Sequence, residues 1–158
     1  LMGSSGMRGH QSAAIRKVAD RAVSLADEWA SSRGASQRTL HELAWFFDIV
    51  TQNSSLKGLG FDDMAAFKKA AGAGKADDLV CDWLEATTKK YAGMKDCHKN
   101  AKLWRAVGGG SIDLLVLAYL RSQKSILHWR GDVLNRKGTL ATKIGWVHGK
   151  RFDFSTVF

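Results

Sequence analysis

Apolar residues recur along most of this chain at three- and four-residue intervals, the spacing that gathers them on one side of an α-helix. Ile15, Val18, Ala22, Leu25 and Trp29 make one such seam, predicting a helix over Ala13–Ser31 with Ser12 as its N-cap. A second helix is predicted from after Ser36 to about Gln52. Leu40, Leu43, Ala44, Phe47 and Val50 mark its apolar face, and Trp45, Phe46 and Ile49 widen that face enough to make the helix central. A short third helix is expected from Asp62 through Ala71, and a fourth over Asp77–Tyr91. In the fourth, Leu79, Val80, Trp83, Leu84 and Tyr91 share an arc opposite Asp78, Asp82, Glu85 and Lys89. Glu85 and Lys89 there stand in the favourable i,i+4 order. The fifth helix covers Lys95–Val107, and the sixth, capped by Ser111, runs over Ile112–His128 with a nearly unbroken apolar first half.

After Gly131 the period changes. Over Thr139–Val147, Leu140, Thr142, Ile144 and Trp146 alternate with Ala141, Lys143, Gly145 and Val147. His148-Gly149-Lys150 then breaks the run before Phe152 and Phe154 alternate again, which predicts a terminal β-hairpin. The chain contains no proline, so glycines and polar caps must delimit the helices; Gly108-Gly109-Gly110 is the plainest such break. The expected fold is mainly α: a single-domain bundle of five or six helices carrying a C-terminal β-hairpin.

Composition narrows the class without naming a function. With 158 residues and 45% apolar side chains the chain can bury one core, and its two cysteines exclude a disulfide scaffold. Residues 1–11 read as a tag remnant or flexible N-terminal linker, leaving 12–158 as the helical domain. The longest apolar run, Ile112–Leu120 interrupted by Asp113, is far short of the ~20 residues that span a bilayer, so no membrane span is expected. Cys81 and Cys97 are read as reduced, partly buried thiols, which with no signal segment points to an intracellular protein.

Charge changes the picture most. The net charge is +9, and its distribution is uneven. Residues 88–107 hold six Lys and Arg against one Asp, residues 121–158 eight against two, while residues 48–87 hold four against seven acids. The basicity therefore belongs to the C-terminal half, where a local field can hold a polyanion. At 100° per residue, Lys95, His98, Lys99, Lys102 and Arg105 fall within one arc of the fifth helix, opposite Cys97, Ala101, Trp104 and Val107. The last segment adds Arg121, Lys124, Arg130, Arg136, Lys137, Lys143, Lys150 and Arg151, interleaved with Trp129, Trp146 and Phe152. Such basic groups neutralise phosphates, and aromatic rings among them stack on unpaired bases.

Other motifs carry less. Ala26–Trp45 fits a loose helix-turn-helix template, with Ala30 as the small residue, Gly34 in the turn and Leu40 and Leu43 as anchors. That reading would expose Gln37, Arg38 and His41 on a recognition helix. Arg33 stands where the template wants an apolar residue, and a plain helical hairpin explains the pattern as well. Ala71–Ala76 is not a phosphate loop, because Ala76 follows Lys75 where Ser or Thr is needed and a helix precedes it. His128, Asn135 and His148 lack the hairpin-then-helix setting of a His-Asn-His nuclease, and no metal-ligand spacing, nucleophile elbow or cofactor motif is present.

The expectation is therefore a non-enzymatic nucleic-acid-binding protein with no cofactor and no metal. Its site would be Lys95, Lys99, Lys102 and Arg105 on one helix face, with Arg130, Arg136, Lys137, Lys143, Lys150 and Arg151 after it. Trp129 and Trp146 would stack, favouring RNA or single-stranded DNA over duplex. Two other readings stay open: an interaction or assembly module with an exposed aromatic docking face for a protein partner or a second copy, and an enzyme whose site is built from distant residues.

Overall fold

A computed structural model describes residues 4–107 and 112–158, with side chains from Gln11 onward. The expected Ser111 cap and the Gly108–Gly110 break lie outside the described residues. The chain divides into two compact units, Leu1–Leu56 and Lys57–Phe158. Among the described residues there are seven α-helices and one antiparallel two-stranded hairpin, so the molecule is mainly helical with a C-terminal hairpin. No described helix is long and apolar enough to cross a membrane.

The first unit is a helical hairpin of α1 (Ser4–Ser32) and α2 (Leu40–Asn53). Gly34, at φ +70°, ends α1 in a left-handed step, and the Ala35 N–H closes back on Ala30 O at 2.9 Å. The second helix begins at Leu40, three residues later than its apolar spacing predicts, because Thr39 caps it reciprocally with Glu42. Gln37 and Arg38 therefore lie in the connection, and Arg38 pairs with Asp27 of α1. Glu42 also sets the rotation of α2. Its buried carboxylate accepts from Trp29 Nε1 at 3.0 Å and pairs with Arg33. With Glu42 turned inward, Trp45, Phe46, Ile49 and Val50 are the buried positions, whereas Leu40 and Phe47 face out. The α1 seam is buried from Ala22 onward, but Ile15 is 63% exposed. The 14 residues of α2 span about 21 Å, roughly half the length of α1.

The second unit contains α3 (Phe61–Ala71), α4 (Ala76–Glu85), α5 (Met94–Val107), α6 (Asp113–Gln123), a 3-10 turn (Leu127–Trp129), α7 (Arg130–Thr142), β1 (Ile144–Val147) and β2 (Lys150–Asp153). Leu114–Ala118 are all buried, which makes α6 the central helix, packed against α3, α4 and α7. The fourth helix stops at Glu85 rather than at Tyr91. Thr87 follows, its hydroxyl donating to Leu84 O at 2.7 Å and closing the last turn. The sixth helix, expected to reach His128, stops at Gln123, and a 3-10 turn leads from there into a seventh. That helix, α7, takes residues 139–142, whose alternation suggests a strand. The hairpin itself is present, turning at His148-Gly149 with φ +51° and +76°.

Cys81 and Cys97 are both buried free thiols, and burial pushes each up to about 11. Both should react slowly with a thiol reagent at neutral pH in the folded protein and at once after denaturation. The raised values also give a sign. Folding is favoured fully below the ordinary 9.0 and loses that contribution as pH climbs toward about 11, where unfolded thiols ionise first. Denaturation midpoints measured across that alkaline window check it; a Cys81→Ser, Cys97→Ser variant should show a flatter fall.

Candidate functional site

Of the net charge, the second unit holds almost all: 18 Lys and Arg against 10 Asp and Glu over residues 57–158. What organises it is a buried amide. Asn100 of α5 is fully buried and uses both ends of its side chain. Its Oδ1 accepts from Trp146 N–H at 2.7 Å, and its Nδ2 donates to Trp146 O and to Asn135 Oδ1, each at 2.9 Å. Asn100 so replaces a neighbouring strand for the inner edge of β1. Asn135 of α7 in turn donates to Gly93 O at 3.0 Å, tying in the loop before α5. One turn earlier on α5, buried Asp96 accepts from Gly149 N–H at 2.7 Å and fixes the hairpin tip.

These bonds lay the hairpin on α5 and bring Trp146 and His148 beside its lysines. Lys99 Nζ sits 3.9 Å from the centre of the Trp146 ring and 3.7 Å from Asp96 Oδ1. Arg151 is the cross-strand partner of Trp146 and is exposed, as is Lys150 beside it. Lys95 and Lys102 are exposed on α5 and, among the described residues, have no ion-pair partner. A groove of about 480 Å³ opens between the loop before α5, the start of α5 and the hairpin tip. Its walls include Lys89, Tyr91, Lys95, Asp96, Lys99 and His148. His148 Nε2 stands 3.4 Å from Asp132 Oδ1 of α7.

Other expected site residues are placed elsewhere. Arg105 turns to α4, where it pairs with Asp82, with Glu85 at 3.1 Å and with Asp78 at 3.7 Å. The hydrogen bond it donates to Asp82 raises its already high pKa further. Lys137 is 1% exposed and presents no charge to solvent. Arg121 is fully buried, donates to Ser125 Oγ at 3.3 Å, and burial lowers its pKa. Arg130 braces the turn before α7 through Ser125 O at 3.2 Å and Gln123 Oε1 at 3.3 Å. Lys143 donates to Phe158 O at 3.2 Å, while Arg136 is exposed on α7. His98, on the expected basic arc, lies half-buried with Nε2 2.9 Å from Thr87 O.

The aromatic residues divide as well. Trp146 is half-buried with Lys99 over its ring. Trp129 is 52% exposed, its ring edge-on to His128, and the backbone bond from Ala92 N–H to His128 O sets that turn beside the loop before α5. Lys89 and His148 are groove residues that periodicity does not find, since it puts Lys89 on a helix and His148 merely at a turn. Among the described residues no cluster of three or more His, Cys, Asp and Glu side chains could hold a metal. Comparison with known protein families, with curated proteins and with solved structures gives no match.

Proposed function

We propose that this protein binds nucleic acid through its phosphates, on the surface made by the outer face of α5 and the β-hairpin. The observation that supports this reading is the clamp of Asn100 and Asp96 on the hairpin. With the hairpin held on α5, Lys99 lies over the Trp146 ring and Arg151 stands across from Trp146 on β2, while Lys95, Lys102 and Lys150 are exposed on the same two elements. Exposed cations on these two elements neutralise phosphates of a strand lying across them and release their counterions. The exposed Trp129 ring offers a stacking surface for an unpaired base, which favours RNA or single-stranded DNA.

Fluorescence anisotropy with single-stranded RNA, single-stranded DNA and duplex DNA tests it. With four or five phosphates neutralised, affinity should fall about a hundredfold between about 50 and about 200 mM salt. Reversing Lys95, Lys99 and Lys102 together to Glu should abolish binding. Arg105→Gln should leave affinity within about twofold and cost only about 0.5–1 kcal/mol of stability, because that guanidinium serves α4. Absence of binding at low salt overturns the reading, as does an Arg105→Gln defect equal to that of the triple reversal.

A protein-docking role is favoured by a different observation. Ile126, Leu127 and Trp129 are 77%, 46% and 52% exposed in neighbouring positions around the 3-10 turn. Clustered apolar exposure of this kind marks association surfaces. On that reading Ile126→Ser with Trp129→Ser changes the oligomeric state in sedimentation while oligonucleotide binding is absent from the start.

A further inference from the structure

We infer that the groove beside α5 takes a phosphate monoester, and that its source is the terminal phosphate of a nucleic-acid strand lying on the surface just described. This deepens the nucleic-acid reading and rests on it. The groove is walled by three lysines, Lys89, Lys95 and Lys99, against the single carboxylate of Asp96. That leaves a lining charge of +2. A phosphate monoester carries about −1.5 to −2 near neutral pH, whereas each internal phosphodiester carries only one negative charge. The groove therefore matches a strand end better than a strand interior.

The lining is also free to act. Lys89 and Lys95 have no ion-pair partner among the described residues, so their ammonium groups are available to a ligand. Asp96 is directed into the walls: Oδ2 accepts the Gly149 N–H and Oδ1 faces Lys99. His148, at the hairpin tip, also lines the groove, its Nε2 3.4 Å from Asp132 Oδ1. The walls are set in advance by the Asn100–Asn135–Gly93 chain of buried hydrogen bonds, so little ordering is needed on binding. The volume, about 480 Å³, has room for a phosphate and the sugar that carries it. Lys102 of α5 and Arg151 of β2, exposed on the two elements that flank the groove, are the cations offered to the rest of a strand.

The test compares one single-strand sequence bearing a 5′-phosphate, a 3′-phosphate or only hydroxyl ends, with inorganic phosphate as a separate ligand followed by NMR shifts. One phosphorylated end should bind about tenfold tighter than the hydroxyl-ended strand. In a Lys89→Gln, Lys95→Gln variant that ratio should fall toward one. In Lys102→Gln both affinities should drop together and the ratio should stay. Hydroxyl-ended and phosphorylated strands binding equally well overturn the terminal-phosphate inference and leave the broader reading in place. Saturable binding of inorganic phosphate that the double variant loses, with no strand binding at all, supports the monoester groove and overturns the nucleic-acid reading. If neither phosphate nor any strand binds, both fall.

Discussion

Asn100→Ala is expected to lower the stability of the Lys57–Phe158 unit by about 3 kcal/mol and to release the hairpin from α5. The alanine leaves Trp146 N–H, Trp146 O and Asn135 Oδ1 without the partner that all three share. A buried polar group stripped of its partner costs about 1–3 kcal/mol, so the loss exceeds that of one ordinary hydrogen bond. A unit of about a hundred residues loses roughly 4–8 °C per kcal/mol, which puts the expected fall in midpoint above about 10 °C. Thermal melts followed by tryptophan fluorescence measure it, since Trp146 sits at the bond that breaks. Asn135→Ala should overlap with it: the double variant loses less than the two single losses added, because both residues serve one network. Full additivity, or an Asn100→Ala midpoint within about 2 °C of the parent, would show that the amide does not hold the hairpin. Under the proposed function the same variant also weakens strand binding, as the hairpin that carries Lys150 and Arg151 leaves α5.

Gly138→Ala is expected to destabilise, against the general rule for helix interiors. Alanine in place of glycine inside a helix ordinarily gains about 0.5–1 kcal/mol. Here the new Cβ would lie 2.3 Å from Trp104 Cη2 and 2.7 Å from Cζ3. The indole cannot step aside cheaply, since it is buried and its Nε1 donates to Ile144 O at 2.8 Å. Forcing α5 and α7 apart costs about 1–3 kcal/mol or more, so a net loss of about 2 kcal/mol should remain. Denaturant titration reads it. Adding Trp104→Phe should recover part of the loss by clearing the space, and a Gly138→Ala protein as stable as the parent would refute this packing.

The fold was legible where its causes are local. The fifth helix is expected over Lys95–Val107 and found over Met94–Val107, because Cys97, Ala101 and Trp104 mark a single buried side. The hairpin follows from alternation around His148-Gly149, and the burial of Cys97 follows from its place on the apolar side of α5. The rotation of α2 was not legible, because it turns on Glu42, a carboxylate that spacing counts as polar and the structure buries. Nor was α7. Gly131, Asn135, Gly138, Thr139 and Thr142 are all weak helix formers, and each is buried. Gly131 and Gly138 are there because Ala92 O and the Trp104 ring approach too closely for any side chain.

The candidate site divides in the same way. Its cations are countable from the sequence, but which of them face solvent is not. Arg105 and Lys102 look equivalent on a helical projection; the first meets three carboxylates of α4 and the second meets none among the described residues. Lys137 sits beside Arg136 in the chain, yet one is buried and the other exposed.

By itself, then, the sequence determined a mainly helical chain with a terminal hairpin and its positive charge gathered in the C-terminal half. Those properties depend on periodicity, turn residues and composition, which act over a few neighbouring positions. Tertiary structure alone decided that α7 is a helix, where α4 stops, and which basic side chains face solvent. These outcomes hang on partners far apart in the chain: Asn100 with Trp146, Gly138 with Trp104, Asp96 with Gly149. A buried hydrogen bond or a close packing contact outweighs a local preference of a few tenths of a kcal/mol per residue. It exists only once the chain has folded around it.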